Sequence, residues 1–365
     1  MAEEVSRRIM NSRRPSMSYR ENFIRTVEFR EPEYIPCHID VLPPAWKECG
    51  RKLEEMISRH PMIFSDFMSS PPKYREPSPI KSKRVFKDPF GCTWLFPEER
   101  LQGQVVEHPL KSWENFKSYE LPDPEEGMPV EGGGLIPWGE VYESLERARE
   151  SRGLVVGYMP HGFFFQRLYY LRGFTNLLRD FIRKPPEIYE LVERLTEYNL
   201  ELVDRLLKFK GLDMIYFGDD LGTQHGLPVS PRAFRELILP SYKKIFGKVR
   251  ASGVHVYLHS DGRVVDIISA LIGSGVSVLN VEGSVNGLEN LAEFKGRVCM
   301  DVYVDPQRLL PFGTPSEVRD YVKRLVNCLS LREGGLIIRA ELNVPIRLEN
   351  IEALCQAMEE VMWLT

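Results

Sequence analysis

Residues that could bind a metal ion or move a proton are densest in segment 254–262, where His259 and Asp261 stand two positions apart. Apolar residues alternate there with polar ones, a two-residue period that predicts a β-strand whose two faces differ. His259 and Asp261 therefore leave the same face at the end of the strand, directly before Gly262. An imidazole beside a carboxylate can ligate a metal or act as an acid and a base.

Several other predicted strands also end in residues that could do chemistry. By alternation or by position at a strand end, the set comprises His38, Asp40, Asp219, Asp220, Asn280, Glu282, Cys299, Asp301, Tyr303, Asp305, Arg339, Glu341 and Asn343. Polar tips at the carboxyl ends of parallel strands are where the active sites of barrel enzymes lie. For a single residue such as Asp220 or Asp305, capping of the next helix is an equally good interpretation. Tyr257 and Cys299 are predicted to pack inward.

The elements that position these residues follow a repeat from residue 153 to the C-terminus. Each unit is a β-rich run, a polar turn and an amphipathic helical stretch. The predicted strands are 154–159, 213–218, 254–260, 276–281, 297–304 and 336–342, and the predicted helices include 186–209, 231–252, 264–273 and 315–329. This alternation predicts parallel β-α units.

The N-terminal part is less regular. A capping box at Ser18 predicts a helix to about residue 29, followed by a strand at 35–40, a helix at 45–59 and a possible strand at 62–67. Segments 85–96 and 104–107 could form a hairpin around Gly91. The strand at 35–40, the six strands predicted from residue 154 onwards and the possible strand at 62–67 make eight. Eight such units would close a (β/α)8 barrel with a long insertion after the first strand. An open doubly wound sheet is the alternative, disfavoured because no Gly-rich phosphate turn follows the early strands.

Composition excludes several classes of partner. The 365 residues carry a formal net charge of −4 and are 43% hydrophobic and 27% charged, which is ordinary for a soluble globular protein and gives no reason to expect nucleic-acid binding. No uncharged apolar stretch approaches the ~20 residues that span a bilayer. The six cysteines are scattered without a Cys-x-x-Cys pair, which predicts reduced thiols in a cytoplasmic protein. A homodimer is left open.

Several motifs resemble those of the uroporphyrinogen decarboxylase-like superfamily. They are 218–224 (GDDLGTQ), 230–234 (SPRAF), 259–262 (HSDG), 305–307 (DPQ), 310–315 (LPFGTP), 334–336 (GGL), 343–345 (NVP) and 349–351 (ENI), together with the opening segment 20–36. The resemblance implies one (β/α)8 barrel domain over 1–365. It divides the chain into an N-terminal helical extension (1–34), an insertion or lid (45–150) and the main β-α repeats (153–365).

Two branches of that superfamily differ in chemistry. True uroporphyrinogen decarboxylases carry an arginine-bearing loop after the first strand, whereas segment 40–46 reads DVLPPAW. The other branch comprises zinc-dependent methyltransferases that pass methyl groups to or from a corrinoid protein, some holding zinc with His-x-Cys and a later Cys. His259 matches that His, Asp261 stands at the first Cys, and the later position falls at 341–343 (ELN). The resemblance thus implies Zn²⁺ bound by His259 with Asp261 or Glu341, and with Glu282 as a further candidate.

Oxygen ligands in place of thiolates leave zinc harder and more Lewis-acidic, which suits an ether or phenolic oxygen as the leaving group. The leading hypothesis is therefore transfer of a methyl group from a methoxylated small molecule. Because the chain has no Asp-x-His-x-x-Gly cobalamin signature, the corrinoid would sit on a separate partner protein.

The remaining site residues are assigned on this hypothesis. Asp219 or Asp220 would orient substrate or donate a proton at a site centred on His259. Arg339 would bind a substrate carboxylate because its planar fork matches that group. The other candidate substrate contacts are Tyr158, His161, Asp40 and Gln224, with 163–165 (FFF) as an aromatic wall or as packing.

Two rival functions stay open. The first is a metal-free decarboxylase of the uroporphyrinogen type, in which an Asp protonates the product carbon and Arg or His stabilises charge. The second is a non-catalytic barrel that binds a corrinoid protein, since loss of both cysteines could mean loss of the metal.

Overall fold

A curled sheet of parallel strands carries the candidate site. The computed structural model describes residues 15–64, 82–98, 103–130 and 133–363. The strands are β1 (Cys37–Val41), β2 (Ser82–Lys87), β3 (Thr93–Glu98), β4 (Gln104–Glu107), β5 (Met128–Pro129), β6 (Leu135–Ile136), β7 (Val156–Tyr158), β8 (Met214–Gly218), β9 (His255–His259), β10 (Val278–Glu282), β11 (Cys299–Tyr303) and β12 (Leu336–Leu342).

Helices follow most of the strands. They are α1 (Tyr19–Val27), α2 (Pro43–Arg59), α3 (Pro61–Phe64), α4 (Trp138–Glu150), α5 (Phe165–Arg172), α6 (Phe174–Arg183), α7 (Pro186–Lys208), α8 (Pro231–Leu237), α9 (Leu239–Ala251), α10 (Ile268–Ile272), α11 (Gly283–Asn286), α12 (Leu288–Ala292), α13 (Leu309–Phe312), α14 (Pro315–Leu329) and α15 (Leu348–Val361). No helix in the described ranges combines the length and the apolar character that a membrane span requires.

The strand order confirms the predicted parallel β-α architecture. Seven strands pair in the order β1-β12-β11-β10-β9-β8-β7. The first strand thus lies beside the last, with Asp40 opposite Glu341, as barrel topology requires. In a doubly wound sheet, by contrast, the order of the strands reverses at a switch point in the middle of the sheet. In the described part of the chain the sheet has seven strands, and closure by an eighth strand stays a prediction, as does the division of the chain into domains.

The interior of the curled sheet is apolar at the amino ends of the strands. Met214, Tyr257, Val278, Cys299 and Ile337, one from each of β8 to β12, pack in one cluster with Phe23 and Val27 of α1. Side chains from five strands can share a cluster only if the sheet curls around it. Inward packing of Tyr257 and Cys299 is therefore confirmed. The polar residues further along each strand face the opposite, carboxyl end.

Two of the predicted elements, the strand at 62–67 and the helix at 231–252, have a different structure. Residues 62–64 of the expected strand 62–67 are helical, with Pro61 at the first helical position, and 65–67 lie outside the described residues. The single helix expected at 231–252 is two helices that meet at Ile238, because Pro240 has no N–H to continue the ladder. The hairpin around Gly91 is confirmed, and β4 adds a third antiparallel strand to it.

His60, buried beside α15, makes the fold sensitive to pH. His60 Nε2 lies 3.3 Å from Glu352 Oε1, and His60 Nδ1 lies 3.0 Å from Glu359 Oε2. Burial alone would lower the pKa of His60. The hydrogen bonds to the two glutamates and their negative charges outweigh burial, so the pKa of His60 is raised. The stabilisation is fully present below the unfolded pKa of about 6.5 and is lost as the pH rises through the higher folded pKa.

Replacing His60 with glutamine should therefore lower the free energy of unfolding by about 1–3 kcal/mol at pH 5.5 and by clearly less at pH 9. Urea denaturation at the two pH values measures the difference. An equal loss at both would show that packing alone, and not the charge of His60, stabilises this contact.

Candidate metal centre

Three side chains converge where β8 and β9 end. The candidate ligand atoms of Asp220, His259 and Asp261 all lie within 4.8 Å of one another. His259 Nε2 is 3.7 Å from Asp220 Oδ1 and 3.5 Å from Asp261 Oδ1. One imidazole nitrogen and two carboxylates form a donor set that suits a divalent cation of the zinc type. We call these three residues the DHD cluster.

The ring of His259 is oriented by an amide on the next strand. Asn280 Nδ2 donates a hydrogen bond to the carbonyl oxygen of Asp301 at 2.9 Å. Asn280 Oδ1 therefore faces His259 Nδ1 at 2.7 Å and accepts a hydrogen bond from the Nδ1–H group. In the neutral imidazole of His259 the lone pair is therefore on Nε2, the atom that faces the two carboxylates. Metal-ligating histidines are usually held in this way by a partner behind the ring.

Removing this acceptor should weaken metal binding. We expect Asn280→Leu, which is close in size, to lower the affinity for Zn²⁺ by about 10–100-fold, the effect typical of partners behind a ligand. Asn280→Asp keeps an acceptor opposite Nδ1 and is expected to retain the affinity. Competition with a chromophoric chelator measures both, and equal affinities for the leucine variant and the wild type would contradict this role of Asn280.

Asp220 is fixed by two residues from the segment that follows β7. Gln166 Nε2 donates to Asp220 Oδ2 at 2.9 Å, and Gln166 Oε1 accepts the Asp220 N–H at 3.0 Å. His161 Nε2 lies 3.3 Å from the same Oδ2. Burial raises the pKa of Asp220, but the bond to His161 and the charges of His161 and His259 outweigh it and lower that pKa. Asp220 is therefore ionised at neutral pH.

Two glycines set the separation of the two carboxylates. A Cβ on Gly262, whose φ is 78°, would stand 2.4 Å from the carbonyl carbon of Gly222. Gly222 N donates to the Asp261 carbonyl at 3.2 Å, and Arg263 N donates to the Thr223 carbonyl at 2.8 Å. The loops after β8 and β9 thus run backbone against backbone, which only glycine allows. This contact places Asp220 beside Asp261.

A third glycine makes room for His161. A Cβ on Gly218, the last residue of β8, would lie 2.4 Å from His161 Nδ1. The Gly162 N–H also donates to the Gly218 carbonyl at 2.8 Å. The imidazole of His161 therefore lies over the end of β8, and its ring centroid is 5.7 Å from that of His259.

Further carboxyl groups add negative charge around the DHD cluster. Burial raises the pKa of Glu282 to about 7, with added repulsion from Asp261 and Asp305, and its Oε2 has no hydrogen-bond partner among the described residues. Burial also raises the pKa of Glu341, again with repulsion from Asp261. A bound cation would relieve this repulsion. Neither Glu282 nor Glu341 belongs to the DHD cluster, in which Asp220 is the second carboxylate.

Asp219 supports the site from behind. Its fully buried carboxylate accepts bonds from the N–H groups of Phe165 and Gln166, at 2.6 and 2.8 Å, and from the Tyr242 hydroxyl at 2.7 Å. Burial raises its pKa to about 6, against the effect of these bonds. Of the two adjacent candidate acids, Asp220 belongs to the DHD cluster and Asp219 does not. Asp219 instead fixes the start of α5, which carries Gln166.

Arg339 already has two carboxylate partners. Its Nε lies 3.0 Å from Asp301 Oδ2, and its Nη1 lies 2.8 Å from Asp40 Oδ2. Burial raises the pKa of Asp40, but His38 and Arg339 outweigh it and hold that pKa well below its usual range. A substrate carboxylate would have to displace one of these partners, so Arg339 is a poor anchor. In this arrangement Asp40 is an ion-pair partner of Arg339.

The remaining predicted residues separate into rim and core. Tyr158, 56% exposed at the end of β7, packs against Tyr216 with ring centroids 5.5 Å apart. Gln224 is exposed in the loop after β8.

The run 163–165 is almost fully buried and packs in the hydrophobic core. The prediction that it packs is therefore confirmed, and the prediction that it forms an aromatic wall for the substrate is wrong. Asp305 caps a turn by accepting from Gln307 N and Arg308 N.

Comparisons with known proteins agree with this fold. A sequence model of the family described as uroporphyrinogen decarboxylase matches residues 84–361. No curated protein sequence matches the chain. A solved methyltransferase from Methanosarcina mazei is 17% identical, with a TM-score of 0.64 over 94% of this chain and 99% of that chain. A B12-independent methionine synthase from a Shewanella species is 11% identical, with a TM-score of 0.39 over 76% of this chain and 73% of that chain. At these identities, the first likeness indicates a shared fold, and the second is too weak to support an argument.

Proposed function

The chain belongs to the uroporphyrinogen decarboxylase family, and within that family we propose that it is a methyltransferase that moves a methyl group from a methoxylated compound to a corrinoid protein. The observation that carries this proposal is the DHD cluster, a nitrogen-and-oxygen donor set at the end of the curled sheet where barrel enzymes place their active sites. The fold likeness to the Methanosarcina mazei methyltransferase supports the same activity class.

The residues present fit a zinc ion. His259 directs Nε2 at Asp220 and Asp261, and the nearby carboxyl groups of Glu282 and Glu341 have raised pKa values that a cation would lower. Asp220, His259 and Asp261 would hold Zn²⁺ with room for one more ligand, as in catalytic zinc sites. When bound, the ion would supply Lewis acidity at the oxygen from which the methyl group departs.

The chain's own residues complete the reaction. Breaking the bond from the methyl carbon to oxygen leaves negative charge on that oxygen, which needs a proton. His161 Nε2, 3.3 Å from the ionised Asp220, can hold that proton next to the DHD cluster. Gln166 keeps Asp220 in place during the reaction through its two hydrogen bonds.

A decarboxylase is the second candidate, because the matching family model bears that description. Decarboxylation of a polycarboxylated substrate calls for available cationic groups. Arg339 is engaged by Asp40 and Asp301, and segment 40–46 carries no arginine. These observations favour methyl transfer.

Methyl transfer to free cob(I)alamin tests the proposal. Protein purified without chelator and repleted with Zn²⁺ is mixed with cob(I)alamin and a panel of methoxybenzenes, and loss of the cob(I)alamin absorbance is followed. We expect transfer with the repleted protein, a fall of at least about a hundredfold after metal removal, and recovery on adding Zn²⁺. Silence across the panel at full zinc occupancy, or release of CO₂ from uroporphyrinogen by the metal-free protein, would overturn it.

A further inference from the structure

A row of tyrosine rings crosses the interior of the sheet beside the DHD cluster. Tyr158, Tyr216 and Tyr257 occupy matching positions on the neighbouring strands β7, β8 and β9. The ring centroids of adjacent tyrosines lie 5.5 and 5.2 Å apart along the row. The Tyr216 ring is also nearly parallel to the His259 ring, at an angle of 16° and with centroids 6.4 Å apart. One member of the row, Tyr216, therefore lies beside the nitrogen ligand of the candidate metal centre.

A fourth tyrosine lies on the other side of His259. Tyr303 is the last residue of β11, and its ring meets the His259 ring at 80° with centroids 6.3 Å apart. Because β9 lies between β8 and β11 in the strand order, Tyr216 and Tyr303 flank His259 from opposite sides. Aromatic side chains gain both area burial and ring-to-ring contacts from a further aromatic ring. These rings therefore favour an aromatic ligand at the DHD cluster.

The hydroxyl groups of these tyrosines differ in what they bind. Tyr257 is buried, and its hydroxyl donates to Asp301 Oδ2 at 2.5 Å. The hydroxyls of Tyr216 and Tyr303 form no hydrogen bond with any described residue, and both side chains are partly exposed. Two hydroxyl donors are therefore available to a ligand beside His259.

Both hydroxyls are protonated at neutral pH. Burial raises the pKa of Tyr216 and of Tyr303, and the positive charge of Arg339 opposes this effect without cancelling it. A protonated tyrosine hydroxyl donates one hydrogen bond. An oxygen atom on a ligand is therefore a suitable partner for either group.

The charge around the DHD cluster favours a neutral ligand. Asp220 and Asp261 bring negative charge, and two further carboxyl groups lie near enough for Asp261 to raise their pKa values. The guanidinium of Arg339 is already paired with two carboxylates. A carboxylate on the ligand would add to this negative charge, whereas a neutral ligand would not.

The tyrosines and the DHD cluster are open to solvent at the same edge of the sheet. Tyr158 is the last residue of β7, and Asp261 follows the end of β9. The side chains of both are more than half exposed. A small molecule that enters at the carboxyl end of the strands can therefore contact the tyrosine row and the DHD cluster together.

We propose that Tyr216 and Tyr303 select the methyl donor, their hydroxyls donating hydrogen bonds to a second oxygen substituent of a neutral methoxyarene whose methoxy oxygen faces the DHD cluster. The inference rests on the proposed function and names the substrate class, an arene that carries a hydroxyl or a second methoxy group. Substrate recognition then depends on hydroxyl donors inside the sheet and not on Arg339.

Calorimetric titration of the zinc-repleted protein at pH 7 tests the proposal. The probes are methoxybenzene, the isomeric methoxyphenols and the anionic 4-methoxybenzoate. We expect the wild type to bind the best methoxyphenol at least about tenfold more tightly than methoxybenzene, the effect of one or two ordinary hydrogen bonds, and more tightly than the benzoate. Equal binding of methoxybenzene, no binding of any methoxyphenol, or tightest binding of the benzoate would overturn the proposal without need of a variant.

The double variant Tyr216→Phe/Tyr303→Phe removes both hydroxyls and keeps both rings. We expect it to bind methoxybenzene as the wild type does and to reduce the preference for methoxyphenol to about twofold or less, with zinc affinity unchanged. Tyr189→Phe is the matched control, because Tyr189 is exposed on α7 with its hydroxyl 3.3 Å from Glu236, and it should keep the full preference. A preference that survives in the double variant would contradict the role of the two hydroxyls.

The methyl-transfer assay separates this inference from the proposed function. A raised KM for methoxyphenol in the double variant, with kcat and the KM for methoxybenzene little changed, supports both. Transfer by the wild type with equal kcat/KM for methoxybenzene and methoxyphenol overturns the recognition alone. A binding preference that is lost in the double variant, without methyl transfer by the wild type from any donor, overturns the function and leaves the recognition standing.

Discussion

His259→Ala is expected to lower the affinity for Zn²⁺ by more than about a hundredfold and to abolish methyl transfer in parallel. The variant removes the one nitrogen ligand of the DHD cluster and leaves Asp220 and Asp261 facing each other. Loss of a ligand should exceed the 10–100-fold effect of losing a partner behind a ligand. Chelator competition and zinc analysis of the purified variant measure the change.

His225→Ala is the matched control, because His225 lies exposed in the loop after β8, outside the DHD cluster. It should keep wild-type affinity and activity. Two results would refute the assignment of His259: a zinc affinity in His259→Ala equal to that of the control, or full methyl transfer by His259→Ala after its metal has been removed.

Gly262→Ala should be the most damaging substitution for stability near the site. The added Cβ would lie 2.4 Å from the carbonyl carbon of Gly222, at a φ of 78° that disfavours any side chain. The loops after β8 and β9 would have to part, which separates Asp220 from Asp261. We expect a loss of about 3 kcal/mol or more in the free energy of unfolding and a clear loss of zinc affinity.

Gly253→Ala isolates the backbone contribution. Gly253 has nearly the same φ, 76°, but a Cβ there meets nothing within 4 Å. Its expected cost is therefore the conformational strain alone, about 1–2 kcal/mol, with zinc affinity unchanged. Urea denaturation and zinc titration compare the two variants. Equal destabilisation by both, or normal zinc affinity in Gly262→Ala, would show that the contact between the loops does not position the carboxylates.

The position of the site could be predicted from the sequence because strand alternation has a strict period. Alternation in 254–262 placed His259 and Asp261 on one face, and the structure brings them together at the end of β9. Parallel strands end at the same edge of a sheet, so polar tips on neighbouring strands were expected to meet. Both arguments depend on local pattern alone.

The supporting contacts could not be predicted, because they join residues far apart in the chain. Gln166 reaches Asp220 over a separation of 54 residues, and Asn280 reaches His259 over 21. The lone amide in an aromatic-rich run was the available signal for Gln166. Gly222 and Gly262 fall within motifs that were noted, but their contact depends on how two loops cross. Asp220 was predicted to orient substrate, to donate a proton or to cap a helix; its place in the DHD cluster could not be predicted for the same reason.

One error and one open alternative came from patterns that fit more than one environment. A short apolar segment at 62–64 suits a strand or a helix equally, and Pro61 decides for the helix. The phenylalanines at 163–165 suit either a ligand wall or a core, and the structure buries them against Tyr242 and Phe217.

Anomalous diffraction at the zinc absorption edge, from crystals of the repleted protein, tests the central claim most directly. The account predicts one strong peak bonded to His259 Nε2 and to carboxylate oxygens of Asp220 and Asp261 at about 2.0–2.2 Å. A zinc-repleted crystal with no peak in the DHD cluster, or with its zinc bound at other residues, would contradict it.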